Sequence, residues 1–392
     1  MKYEKLIIDL FNAYYQARKN KRNKSSAIAF EINYERKLFK LGRELINGTY
    51  KIGQSICFIS FKPLQREIFA ADFRDRIVHH LIYNYIKSIF EKSFINDSYS
   101  CRIKKGTLYG IKRLDRFIRS CSKNYKRDCY VLKLDIKGYF MSIDRNILYK
   151  KVAEKIKNFD GEIEFSKLWI LPIIEQIIFH DPTENCVIKG KRLNWKGLPK
   201  SKSLFYAKKH KGLPIGNLTS QLFGNVYLDD FDHFVKYELN CKYYGRYVDD
   251  IVIVHADNEY LKLLIPIIRN YLKLSLDLDL HPNKIYLQHY RKGTYFLGAY
   301  LKPYRIYIRN NVKDNFYKNV EKWRLILISN NNKFNKSQQE KFLASNNSYL
   351  GLLGSFQTFK LRRKLLKQKV LTNFTTSFYS DRNFVKLSMK SI

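Results

Sequence analysis

Asp249 and Asp250 stand side by side in Tyr243-Tyr244-Gly245-Arg246-Tyr247-Val248-Asp249-Asp250-Ile251-Val252-Ile253-Val254. Two carboxylates between an aromatic run and a β-branched run predict a hairpin with a tight turn at the aspartates. Such a turn sets acidic oxygens at the tip of a buried ribbon, where two negative charges coexist only beside a neutralising cation. Upstream, Leu132-Lys133-Leu134-Asp135-Ile136-Lys137-Gly138-Tyr139-Phe140 also runs an apolar strand into an aspartate. Strand-end aspartates from two segments converging on divalent metal are what two-metal phosphoryl transfer requires. Alone, an Asp-Asp pair is usually a solvated turn and a strand-end Asp a cap. The ordered set, with Gly212-Leu213-Pro214-Ile215-Gly216-Asn217 in between, is far more specific.

Phosphoryl transfer asks a protein mostly for positioning and charge neutralisation. Asp135 and Asp249 are the expected ligands of two Mg²⁺ ions, with Mn²⁺ as a substitute. One ion would lower the pKa of an attacking hydroxyl and the other would bind a triphosphate. The Ile136 carbonyl is a further candidate ligand. Asp250 either ligates directly or supports the ligands by hydrogen bonding. Lys62 and Arg66, an ammonium and a fork-shaped guanidinium ahead of the Asp135 strand, suit a triphosphate. Outside that context each is an ordinary surface charge.

These residues need a scaffold. Residues 1–50 read as basic helices with a Lys/Asn/Ser interruption at 19–26, and 50–62 as a strand or hairpin. A helical period runs over 66–95, and a basic helix over 107–124 feeds a strand at 129–135. Helices are expected at 145–158 and 166–179. The basic, aperiodic segment 181–211 is the best candidate for an insertion or mobile loop. A helix at 218–237, the 243–254 hairpin, a helix at 258–274 and strands near 284–308 follow, and from about 312 the pattern is helical to the end. The fold class is mixed α+β, a β-centre with helical flanks.

With 392 residues, 45% hydrophobic and 28% charged, the chain can bury a substantial core in two or three subdomains. Its 73 Lys and Arg against 35 Asp and Glu give a net charge of +38, which implies a polyanionic partner. An A·T-rich gene would inflate Lys, Asn and Tyr together but would not remove acids. From Tyr286 to Ile392 the only acids are Asp314, Glu321, Glu340 and Asp381. The 30 Tyr and 27 Phe, interleaved with basic residues, suit stacking on unpaired bases. The six cysteines form no C-x-x-C pair, so neither a zinc site nor a disulfide framework is indicated. No apolar run approaches the ~20 residues that span a bilayer, and the N-terminus lacks a signal-peptide core. A reduced, cytoplasmic setting without a membrane partner is expected.

The ordered set Arg66-Glu67-Ile68, Asp72-Phe73-Arg74-Asp75-Arg76-Ile77-Val78-His79-His80, Asp135-Ile136-Lys137-Gly138-Tyr139-Phe140, Gly212-Leu213-Pro214-Ile215-Gly216-Asn217-Leu218-Thr219-Ser220-Gln221, Tyr247-Val248-Asp249-Asp250 and Phe296-Leu297-Gly298 resembles a reverse transcriptase. The resemblance covers most of the chain, from about residue 55 to about 310. It implies a right-hand polymerase with an antiparallel palm sheet: fingers with an N-terminal helical extension at 1–125, palm at 126–300, and a helical, basic thumb at 301–392. It implies RNA-templated DNA synthesis on an RNA template and a DNA or RNA primer, with deoxynucleoside triphosphates as substrates.

Within that superfamily, Ile215-Gly216 and Ser220-Gln221 replace the commoner Gln-Gly and Ser-Pro. That form resembles the reverse transcriptases of bacterial diversity-generating retroelements, as do Lys137-Gly138-Tyr139-Phe140-Met141-Ser142-Ile143-Asp144 and His281-Pro282-Asn283-Lys284-Ile285-Tyr286-Leu287-Gln288-His289-Tyr290. The resemblance implies an enzyme that copies a template-repeat RNA with errors opposite adenine, works with a small, basic, oligomeric accessory variability protein, and rewrites a variable gene. It places Phe140 as the aromatic gate against a 2′-hydroxyl, Ile215, Gly216 and Gln221 around the nucleotide, and Lys284 near the leaving pyrophosphate. Phe296, Leu297 and Gly298 become the primer grip. Segments typical of retron enzymes are absent, as is any appended nuclease or maturase segment. The alternatives are an anti-phage defence polymerase of the abortive-infection type and a non-catalytic RNA-binding scaffold. Intact Asp135, Asp249 and Asp250 argue against the scaffold.

The charge balance generates one prediction directly. RNA binding that neutralises about six phosphates should weaken by about three decades between about 50 and 200 mM salt. A flat salt profile in an anisotropy titration would remove Lys and Arg of 291–390 from the binding surface.

Overall fold

Apolar residues at helical spacing open the chain as α1 (Tyr3–Arg18), α2 (Ser25–Glu31) and α3 (Tyr34–Ile46), burying Leu6, Leu10, Leu38 and Leu41. The structure, a computed structural model, describes residues 2–19, 21–61, 64–331, 333–367 and 378–389. Lys62 therefore lies outside the described residues, as does the helical expectation for 368–377. The next stretch alternates: β1 (Ser55–Ser60) and β2 (Arg66–Ala70) pair antiparallel from Ile56↔Ala70 to Ser60↔Arg66. The helix expected from residue 66 starts only at Phe73. It is α4 (Phe73–Ser93), capped by Asp72, whose carboxylate accepts the Arg74 N–H at 2.9 Å. Ile68 and Phe69 mimic a helical pair, but the buried positions are Glu67 and Phe69, spaced by two as a strand requires.

The basic helix α5 (Thr107–Cys121) precedes β3 (Tyr130–Asp135), where Val131, Leu132 and Leu134 are buried. A one-turn helix α6 (Tyr139–Ser142) follows, then α7 (Arg145–Lys157), capped by the Asp144 carboxylate, and α8 (Lys167–Phe179). Residues 181–211 carry anchoring contacts. There β4 (Cys186–Ile188) adds to β1 in parallel. The fully buried Glu67 carboxylate accepts from Trp195 Nε1 at 2.7 Å, Ser203 Oγ at 2.8 Å and the Leu204 N–H at 2.6 Å.

The single helix expected over 218–237 is instead α9 (Leu218–Tyr227), α10 (Asp229–His233) and a π-helical turn, Phe234–Glu238. Three carboxylates, Asp229, Asp230 and Asp232, fill the first turn of α10 and favour a fresh helix start there. Then come β5 (Tyr243–Tyr247), β6 (Asp250–His255), α11 (Asn258–Leu276) and β7 (Tyr286–His289). Next are β8 (Thr294–Phe296), β9 (Ala299–Lys302), β10 (Arg305–Ile308), α12 (Asn310–Ser329), α13 (Lys336–Gly354) and α14 (Phe359–Leu365). The described chain ends not in helix but in an antiparallel pair, β11 (Phe378–Ser380) and β12 (Leu387–Met389).

These elements form two compact units, Met1–Gly106 with Leu132–Leu287 and Thr107–Val131 with Gln288–Ile392. A four-stranded sheet has the order β5-β6-β3-β7, with β5 and β6 wholly in the first unit. That unit's helices α4 and α9 are joined by His79 Nδ1, 2.8 Å from Thr219 Oγ1; burial lowers the His79 pKa to about 3, so the ring is neutral. In the second, Phe316, Trp323, Phe342, Leu350, Phe378 and Leu387 form one apolar core. Arg362 is buried there and donates to the carbonyls of Phe384 and Asn383, each at 3.1 Å. Among the described residues no helix is long and apolar enough to cross a membrane.

Glu67→Ala should expose how far that carboxylate anchors 181–211. Three donors lose a charged acceptor, so stability should fall by about 2–3 kcal/mol. Tryptic cleavage within 189–211 should accelerate relative to the rest of the chain; unchanged cleavage would show that the segment holds without Glu67.

Candidate active site

The strand β3 delivers Asp135 because its apolar residues fix it inside the sheet and its last residue projects from the sheet's end. A short antiparallel ladder with 277–284 continues beyond it: the His281 N–H donates to the Asp135 carbonyl at 2.7 Å and the Lys137 N–H to the Asp279 carbonyl at 2.8 Å. Between them Ile136 bridges Leu280. A tight turn, with the Lys284 N–H on the His281 carbonyl at 3.1 Å, brings Lys284 back so that Nζ lies 2.9 Å from Asp135 Oδ2.

The second aspartate comes from the β5–β6 hairpin. Tyr247 pairs with Asp250, so the turn consists of Val248 and Asp249, and Asp250 already belongs to β6. Val248 has φ +56°, a left-handed conformation that a β-branched residue rarely adopts and that must be held from outside. Arg246 does the holding. Its guanidinium is fully buried, donates Nε and one terminal nitrogen to the two Asp232 oxygens at 2.7 and 2.6 Å, and gives its other terminal nitrogen to the Val248 carbonyl at 2.9 Å. Burial works against the Arg246 charge, Asp232 restores it, and the net direction is upward. Tyr244 Oη also donates to Asp232. Beside them Gly245 admits the Tyr99 ring, whose hydroxyl leaves no room for a Cβ at that position.

Asp249 keeps part of its surface in solvent yet is densely surrounded by protein. Burial, then the charges of Asp250 and Asp135, push its carboxyl up to about 7, with Lys284 pulling the other way. For Lys284, burial opposes the charge but the hydrogen bond and attraction to Asp135 win, and its pKa is raised. Asp135, Asp249, Asp250 and Lys284 thus form one electrostatic cluster.

The Gly-Leu-Pro-Ile-Gly-Asn segment is strapped beside it. Gly212 and Leu213 N–H groups donate to the Ile143 and Phe140 carbonyls, each at 2.8 Å, and buried Arg145 donates to the Gly212 carbonyl at 2.9 Å. The Ile215 carbonyl accepts the Phe69 N–H at 2.8 Å. Gly216, at φ +136°, brings the chain so close that a Cβ would stand 2.7 Å from the Phe69 carbonyl oxygen. Phe140 and Ile215 pack against one apolar cluster of Cys57, Phe69, Met141 and Leu204, with the Phe140 ring against Gly224.

The chain matches the family model described as reverse transcriptase (RNA-dependent DNA polymerase) over residues 64–301, more than half its length. It belongs to the reverse transcriptase family. No curated protein matches it significantly. Similar solved structures include apo telomerase from Candida tropicalis, at 11% identity and TM-score 0.49 over 82% of this chain and 60% of that one. Telomerase from Candida albicans with a TWJ fragment of telomeric RNA is 12% identical, TM-score 0.46, over 82% and 62%. The chain thus spans about 60% of the length of these telomerases.

Reverse transcriptase domains use divalent metal ions. Among the described residues no three His, Cys, Asp or Glu side chains are already gathered as a metal cage. The donors nevertheless fit a hard cation: burial and then the repulsion of Asp250 and Asp135 raise Asp249, and a bound cation relieves both. Of the other residues singled out by sequence, Arg66 is exposed at the start of β2, and its positive charge acts on Tyr247. Gln221 is exposed in the first turn of α9. Phe296, Leu297 and Gly298 lie in the second unit of this reverse transcriptase. There Phe296 pairs with Ala299 and the two turn residues have φ +47° and +89°, as a two-residue hairpin of type I′ needs. Sequence reasoning missed Asp232, Arg246, Arg145 and Glu67. An arginine inside the most apolar ribbon of the chain was the available signal, since such a charge demands a buried partner.

The raised Asp249 carboxyl has a defined consequence for the metal-free enzyme. Its folded value of about 7 exceeds the ordinary 3.8, so the folded state binds the extra proton and stability falls as pH rises from about 4 to about 7. Asp249→Asn should therefore abolish nucleotide incorporation yet raise the metal-free Tm at pH 8, with no gain at pH 4. Equal Tm values at pH 8 would refute the crowding of Asp249.

Proposed function

We propose that this chain is an RNA-directed DNA polymerase of the mutagenic retroelement type, copying a template-repeat RNA into cDNA with errors opposite adenine. The observation that carries the polymerase reading is the Asp249 carboxyl, raised by burial and by Asp250 and Asp135, with Lys284 beside them. Asp135 and Asp249, with Asp250 and the Ile136 carbonyl, would hold two divalent ions, Mg²⁺ by this reading. Bound there, the ions would lower the pKa of the primer hydroxyl and neutralise the triphosphate. Lys284 keeps its proton at neutral pH; it orients the Asp135 carboxylate and offers a cation toward the leaving pyrophosphate. Arg66 adds a guanidinium for the triphosphate, which suits it geometrically. Phe140, wedged against Gly224, presents a fixed ring to the sugar and excludes a 2′-hydroxyl.

The retroelement reading rests on Ile215 and on the neighbouring Gly216 and Gln221. Ile215 gives its backbone carbonyl to Phe69 and its side chain to the apolar cluster, so it offers the nascent pair shape without an amide. Loss of one polar positioning contact relaxes discrimination by about 1–3 kcal/mol, one to two decades in error rate. A small basic accessory protein is the proposed partner in this system.

Ile215→Gln should lower misincorporation opposite template adenine more than opposite the other bases, with overall incorporation little changed. Ile215→Met, which keeps the apolar packing, should retain the parental spectrum. Sequencing cDNA made by all three proteins on one RNA reads both. An unchanged adenine error rate in Ile215→Gln would separate the Ile-Gly segment from fidelity.

A further inference from the structure

The three-stranded sheet of the second unit has two unlike faces. Thr294, Phe296, Ala299, Leu301 and Ile308 point inward and are buried. On the other face Tyr295 pairs across the strands with Tyr300, and Tyr300 with Tyr307. The three rings form a ladder, with centroids 4.4 Å apart from Tyr295 to Tyr300 and 6.5 Å from Tyr300 to Tyr307. Tyr295 is 52% and Tyr307 39% exposed. A cation stands over each ring: Arg309 over Tyr295 at 5.5 Å, Lys302 over Tyr300 at 5.8 Å, Arg305 over Tyr307 at 4.8 Å. The central ring is anchored, its hydroxyl donating to the Lys292 carbonyl.

Solvated strand faces ordinarily carry mixed polar residues; three aligned tyrosines with three cations and no carboxylate among them match a different need. Aromatic faces in register stack successive unpaired bases, and the guanidinium and ammonium groups meet the phosphates between them. We propose that this tyrosine ladder is a stacking platform for an unpaired segment of RNA. Resting on the polymerase reading, the choice of RNA follows from what is single-stranded during synthesis: new DNA stays paired to its template, whereas template RNA outside the duplex does not. Anchoring of Tyr300 keeps the ladder ordered before RNA arrives, so little side-chain entropy is lost on binding. Base stacking tolerates any sequence, which suits a template read from end to end.

Binding of the full chain to a fluorescent single-stranded RNA 12-mer, measured by anisotropy without nucleotides, tests this apart from any polymerase activity. Tyr295→Ala with Tyr307→Ala should weaken binding about fivefold or more per ring removed, while Tyr295→Phe with Tyr307→Phe should bind like the parent. Affinity for a blunt RNA–DNA hybrid should be unchanged, and circular dichroism should report the parental fold for each variant. Unchanged RNA affinity in the alanine variant would overturn the platform. So would equal loss on hybrid and single strand, loss confined to a matching single-stranded DNA, or equal loss in the phenylalanine variant. Loss of incorporation in Asp249→Asn bears on the polymerase reading alone and leaves this binding test intact.

Discussion

A carboxylate and a guanidinium with no exposed surface are a costly pair to bury, and such a pair repays its desolvation only when the geometry is nearly complete. Asp232 and Arg246 meet that condition: two parallel hydrogen bonds between them, a third to the Val248 carbonyl, and a tyrosine hydroxyl on the carboxylate. The Val248 contact links this buried pair to function. A β-branched residue at φ +56° does not stay there by its own preference. Held by Arg246, the turn aims Asp249 into the space where Asp135 and Asp250 already concentrate negative charge. The break between α9 and α10 serves the same end, since it lets Asp232 face inward from the first turn of a new helix.

Around this hub the residues proposed to face the nucleotide are fixed by contacts of their own. Phe140 and Ile215 share one apolar cluster with Cys57, Phe69, Met141 and Leu204, so the proposed sugar gate and fidelity position are mechanically one object. Glu67 ties 181–211 onto the same strand that bears Phe69, and Arg145 ties Gly212 to α7. Rigidity on this side suits the proposed selection by shape, because an amide is absent where Ile215 stands.

Much of this was legible in the sequence, for physical reasons. The aspartates, the hairpin and the helices α7, α8 and α11 follow from patterns that depend only on neighbours along the chain. Lys284 could be placed near the chemistry only by resemblance; the ladder from Asp135 to His281 that brings it there is long-range. Illegible features share a cause. Glu67, Asp232 and Arg246 are charged residues that read as surface, and only tertiary partners reveal them as interior. Reading by local pattern also let Ile68-Phe69 pass for the start of a helix. The closing β11–β12 pair is short, and its basic, polar flanks carry no alternation strong enough to show it.

Replacing both members of the buried pair tests the account most directly. Asp232→Leu or Arg246→Met alone should cost about 3–5 kcal/mol, because each leaves an uncompensated buried charge. The double variant should recover most of that stability, as apolar pairs of similar volume often do. It should nevertheless add a single deoxynucleotide at least about tenfold more slowly than the parent, since the Val248 carbonyl has lost its donor and Asp249 its fixed position. A folded double variant that incorporates nucleotide at the parental rate would contradict the claim that Arg246 sets the turn on which the site depends.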